Sequence, residues 1–141
     1  MSKEIFILIN LLDMKYYAND IYPIALVISY DAESVDKEYY NAAEGEDEKV
    51  YIKPTSEAVT MFLTRRTHEY YAMAVGIIFN KKPTAKLMAH EAFHATVMML
   101  DVGVNIPLNN YTEEAYAYVI GWVNSCIEDY VKLMEEEESE R

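Results

Sequence analysis

Apolar residues in this chain gather into two kinds of run, short ones bounded by polar residues or proline and long ones with helical spacing. Residues 4–12, centred on Ile5-Phe6-Ile7-Leu8-Ile9, have the length and composition of a buried strand. A polar, tyrosine-containing connection through Asn19 and Asp20 leads to Ile24-Ala25-Leu26-Val27-Ile28-Ser29-Tyr30, which reads as a second strand headed by Pro23. Ser34 is positioned to cap a short helix in which Val35, Tyr39 and Ala42 share a face and which Gly45 ends. Two further β-rich runs, 57–64 and 70–80, are separated only by Arg65-Arg66-Thr67-His68-Glu69, a spacing that predicts a hairpin. A helix is expected from Pro83 or Thr84 through Leu100, with Gly103 as its left-handed cap. After a connection containing Pro107, a last helix should begin near Asn110 to Thr112 and run towards Met134. Glutamates at 135–138 and 140 put negative charge at the negative end of that helix's dipole, so residues 135–141 should fray. The expected fold is α+β, one domain over 1–141, with a mainly antiparallel sheet packed against the two C-terminal helices.

Composition narrows the function. Twelve basic residues against 24 acidic ones give a net charge of −12, which repels phosphate backbones and anionic lipid surfaces, so neither nucleic acid nor membrane is an expected partner. The single cysteine, Cys126, excludes an intrachain disulfide and suits a reducing compartment. The N-terminal apolar run is a poor signal peptide, because Glu4 follows Lys3, Asn10 interrupts it and Asp13 follows it. It is also too short to span a bilayer, and the expected location is cytoplasmic. The sequence carries no signal of oligomeric state. Arg65 and Arg66, the one pair of adjacent arginines, either meet local carboxylates or await an anionic substrate group.

The candidate chemistry lies in His90-Glu91-Ala92-Phe93-His94, an HExxH pattern inside the first long helix. Histidines four apart share one helical face with Cβ atoms about 5–6 Å apart, close enough for both imidazoles to reach one zinc ion. Glu91 is turned about 100° from His90, which suits a base acting on water rather than a ligand. Two of the three histidines fall in the motif, whose chance occurrence in a chain of this composition is roughly one in a hundred. A catalytic zinc takes three protein ligands, and the downstream carboxylates are Asp101, Glu113 and Glu114. Asp101 lies seven residues beyond His94, about 10 Å further along the helix, too far to close the site.

Here the sequence resembles the gluzincin metallopeptidases, the thermolysin-type HExxH group whose third ligand is a glutamate on the next helix. Glu114-Ala115-Tyr116-Ala117 looks like their Asn-Glu-(Gly or Ala)-x-(Ala or Ser) signature, with Glu114 in the ligand position. Nineteen residues separate His94 from Glu114, as in the thermolysin type, and eighteen separate it from Glu113, as in the aminopeptidase type. Spacing leaves both open. Capping favours Glu114: with Asn110 as the cap, Glu113 falls at the third helical position and returns a hydrogen bond to it. Glu114 also shares a face with Ala117, Tyr118 and Gly121, and the small residues Ala117, Gly121 and Ser125 would let the motif helix approach. Where the thermolysin type carries an aspartate four residues after the ligand glutamate, this chain has Tyr118. Ala89 to Ala95 and Glu114 to Trp122 are also similar to segments of small phage-encoded proteins, for which the location would be the host cytoplasm.

The resemblance implies a minimal zinc peptidase acting on a peptide or protein. One Zn²⁺ would sit on His90, His94 and Glu114, and Glu91 would serve as general base and then proton donor. The strand at 70–80 would pair with an extended substrate. His68, Tyr111 and Tyr116 are the candidate donors to the oxyanion. The rival expectation, from another class, is a non-catalytic phage or host-interaction protein that keeps a structural or inert metal site and works through its acidic surface.

Overall fold

The computed structural model describes residues 13–42, 48–66 and 73–139. The strand expected over residues 4–12 and the stop expected at Gly45 therefore lie outside the described residues. Five strands form one open sheet: β1 (Met14–Tyr17), β2 (Ala25–Ser29), β3 (Tyr39–Asn41), β4 (Ala58–Arg65) and β5 (Met73–Phe79), in the order β1-β2-β5-β4-β3. Only β2 and β5 run parallel, and every other pairing is antiparallel. The helices are α1 (Ala32–Glu38), α2 (Ala85–Val97) and α3 (Glu113–Ser139), with α2 continuing as a π-helical stretch over Met98–Gly103. The fold is α+β with a mainly antiparallel sheet, and the expected hairpin is the antiparallel β4–β5 pair.

Strand periodicity sorts the side chains onto two faces. Leu26, Ile28, Val75, Ile77 and Phe79 pack under α2 and α3, against Ala92, Ala95, Met99, Val119, Val123 and Ile127. Ala25, Val27, Met61, Leu63 and Ile78 form a second core with Val35 of α1, Tyr39 and Val50. The central strands β2 and β5 are thus covered on both sides, which explains their unbroken apolar runs. Each fully buried Leu or Ile among them stabilises the fold by roughly 1.5–3 kcal/mol.

Several local expectations change. The connection after residue 13 contains β1, which the sequence did not suggest; it is held by pairing to β2 and by Lys15 and Tyr17, both of which reach Asp129 on α3. α1 is capped by Asp31, whose carboxylate accepts from the Glu33 amide and the Ser34 hydroxyl, so Ser34 lies inside the helix. Its end comes at Glu38 because Tyr39–Asn41 is drawn into the sheet against Leu63–Arg65. Thr84 caps α2 as expected, its hydroxyl accepting from the Leu87 amide.

At the far end of α2 the left-handed residue is Asn105 (φ 57°), not Gly103. The Ile106 amide donates back to the Leu100 carbonyl at 2.7 Å to close the turn. Gly103 is required for another reason: a Cβ there would stand 2.0 Å from Ile24 Cδ1. The acidic tail remains helical to Ser139, and Lys82 forms an ion pair with Glu135 that offsets the unfavourable dipole. Among the described residues no helix is long and apolar enough to cross a membrane.

Candidate functional site

The sheet order sets the position of the HExxH helix. α2 packs over β4 and β5, and α3 lies towards β2 and β1, so α2 has β4 on one flank and α3 on the other. Its sheet-facing side carries Ala92, Ala95 and Met99, all fully buried. At about 100° per residue, His90 and His94 fall on the opposite, outward side. Both imidazoles are exposed, and their Nε2 atoms converge to 3.1 Å. Two nitrogens bound to one tetrahedral zinc at about 2.0–2.1 Å would stand roughly 3.3 Å apart, so the pair fits two ligand positions.

Glu91 points along the β4 flank. It is only 5% exposed, and Oε2 accepts a hydrogen bond from the Thr60 hydroxyl at 2.5 Å. A cleft of about 580 Å³ opens there between β4 and the first half of α2, bordered by Ala58, Thr84, Leu87, His90 and Glu91. Lys81 and Glu57 pair across its rim at 2.7 Å, and Lys81 holds the Glu57 carboxyl below its ordinary value.

The cleft is bordered by a stretch of β4 edge that pairs with no described strand. The Asn80 amide donates to the Glu57 carbonyl and the Ala42 amide to the Phe62 carbonyl. By alternation, the odd residues of β4 aim their backbone groups at β5 and the even ones aim theirs outward. β3 covers Leu63–Arg65, leaving Ala58 and Thr60 with outward backbone groups that no described strand meets. β5, within the run at 70–80, cannot take the role expected of it, because it lies between β2 and β4 with both edges paired.

The third ligand is not gathered. Among the described residues no group of three or more His, Cys, Asp or Glu side chains is placed to hold a metal ion. α3 buries Tyr116, Val119, Val123, Cys126, Ile127 and Tyr130, and on its wheel Glu114 falls opposite this stripe while Glu113 falls at its flank. Ala117, Gly121 and Ser125 accompany Glu114 towards solvent and so do not form the surface against which α2 packs. The capping argument also changes. Thr112, not Asn110, precedes the first helical residue, and Asn109 organises the turn by accepting from the amides of Tyr111 and Thr112. Glu113 therefore opens the helix and has no third-position role. The residues fit zinc as a two-histidine half-site, with Glu114 on the outward side of the neighbouring helix.

The other candidates separate. His68 lies outside the described residues. Tyr111 is 97% exposed on the turn before α3. Tyr116 is buried, and its hydroxyl donates to the Ile106 carbonyl at 2.8 Å, with burial pushing its pKa up. Arg66 binds Asp36 at 2.9 Å and stacks on Tyr40, while Arg65 lies over Tyr16 and Tyr39. Burial pushes the Cys126 thiol up to about 12, which makes it a packing residue. The sequence reading missed Thr60 and the β4 edge. Their one visible signal is threonine at 60 and 64 on the α2-facing register of a strand that is otherwise apolar up to Arg65. No family model, curated protein or solved structure matches the chain.

Proposed function

We propose that the chain is a zinc-dependent metallopeptidase of the gluzincin kind acting on extended peptide or protein segments, with His90, His94 and Glu114 as ligands and Glu91 as general base. The observation that carries this reading is the convergence of two exposed imidazoles at a zinc-like separation, next to a carboxylate that borders a cleft. Zinc, when bound, supplies Lewis acidity towards water and the substrate carbonyl. The chain's own residues supply the rest: the outward backbone groups of Ala58 and Thr60 pair with the substrate, and Glu91 takes a proton and returns it to the leaving amine. Glu114 joins the histidines through a shift of the first turn of α3. A cytoplasmic location, that of the host for a phage protein, accompanies this reading.

The test is hydrolysis of a peptide library by zinc-loaded protein. Glu91→Gln is expected to keep its zinc and lose about 10²–10⁴-fold in rate. Equal nonzero rates in the two proteins would sink the mechanism. A second reading, a non-catalytic interaction or structural protein that retains a metal site, draws support from the ungathered third ligand and from the tie between Glu91 and Thr60. Its expected outcome is bound zinc with no turnover in either protein.

A further inference from the structure

We infer that Thr60 is the positioning residue for Glu91 and links docking of a substrate strand to the orientation of the base; this rests on the peptidase reading. Three observations meet at Thr60. Its side chain lies on the α2-facing register of β4, paired across the strand with buried Ile77, and its hydroxyl donates to Glu91 Oε2 at 2.5 Å. Its backbone groups belong to the outward set of β4 that no described strand meets, where an extended peptide would add. Among the described residues no hydrogen bond reaches Glu91 Oε1, and the one buried side-chain polar atom without a partner among them is Asn19 Nδ2. Oε1 is therefore open to the cleft that Glu91 borders.

One carboxylate oxygen is thus anchored and the other presented. The anchoring residue is also the one whose main chain would hold the substrate. A peptide pairing with Thr60 and a base hydrogen-bonded to Thr60 share one rigid reference, which fixes the distance between scissile carbonyl and base more tightly than two separate supports would. Glu91 without this bond keeps its place on the helix but regains side-chain rotamers.

The experiment uses the full zinc-loaded chain with Thr60→Val, which keeps the shape and removes the hydroxyl, and Thr60→Ser, which restores the donor. Thr60→Val is expected to lower kcat for a fluorogenic peptide library about 10–100-fold with KM changed less than about twofold, and Thr60→Ser to recover most of the loss. In thermal melts Thr60→Val should lower Tm in the wild-type background but leave Tm of Glu91→Ala unchanged, which reads the hydrogen bond without any turnover. Unchanged kcat in Thr60→Val overturns the inference, as does an equal loss in Val and Ser variants, which would be a packing effect. Additive melting shifts overturn the hydrogen bond itself. Coupled melting shifts in a wild type that binds zinc but cleaves nothing would instead bring down the peptidase reading, and the positioning role with it, leaving a structural pair.

Discussion

The Nε2 atoms of His90 and His94 stand 3.1 Å apart on the outward face of α2, held in register by one turn of helix. Two ring nitrogens at this separation are placed to meet one cation. Zinc binding should therefore be lost from His90→Ala and from His94→Ala, while their melting curves in chelator stay close to wild type because neither ring is part of the core. Elemental analysis of protein purified without chelator provides the measurement. Zinc retained in both variants would end the half-site assignment.

The third ligand gives a separate outcome. Glu114→Ala should weaken zinc binding by an order of magnitude or more, whereas Glu113→Ala should leave it near wild type. The reverse result would transfer the ligand role to the flank of α3. Indifference to both would leave two histidines and solvent as the whole site, and the gluzincin reading would fall.

Because both histidines lie outside the apolar core that packs the two helices on the sheet, zinc should stabilise by mass action alone. At a free concentration 100 times its Kd, the gain is about 2.7 kcal/mol, read as a rise in Tm that disappears in His90→Ala. A protein that unfolds outright in chelator would contradict this.

Two glycines on neighbouring elements should respond in opposite directions to alanine. At Gly103 the new Cβ would meet Ile24 Cδ1 at 2.0 Å and the Met98 carbonyl at 3.1 Å, so Gly103→Ala should cost about 1–3 kcal/mol. At Gly121, mid-helix and exposed, nothing lies within 4 Å, and Gly121→Ala should stabilise by about 0.5–1 kcal/mol through helix propensity. Urea denaturation of the two variants compares them directly.

Asp129 ties β1 to α3 and should shape the pH dependence of stability. Hydrogen bonds from Lys15 and Tyr17 hold its carboxyl below the ordinary value, so its contribution is full above about pH 4 and lost as pH falls through the folded pKa. The Tyr17 hydroxyl, raised by burial and then by its bond to Asp129, contributes below about pH 10 and loses that contribution as pH rises. Asp129 is half exposed, so solvent screening keeps its share under about 1 kcal/mol. Asp129→Asn should flatten the acid limb of a Tm-against-pH curve while leaving the neutral region within a few degrees of wild type. An unchanged acid limb would show that other carboxylates set it.

What could be read from sequence was local. The i,i+4 spacing of His90 and His94 needs only helical geometry, the Thr84 cap needs only its own first turn, and the apolar runs at Ile24–Tyr30 and in the β4–β5 hairpin declare buried strands through residue type alone. Tertiary structure decided what depends on partners far along the chain. Met14–Tyr17 is a strand because β2 pairs with it and Asp129, more than a hundred residues away, holds its side chains. The helix over Ala32–Glu38 stops because β4 captures Tyr39, a competition that no local propensity reports. Glu91 meets Thr60 only because sheet order sets β4 beside α2, and Glu114 turns outward because the apolar stripe of α3 claims the opposite side for the core. Spacing along a helix specifies which residues share a face; which face meets the sheet is set by burial across elements that the sequence does not place.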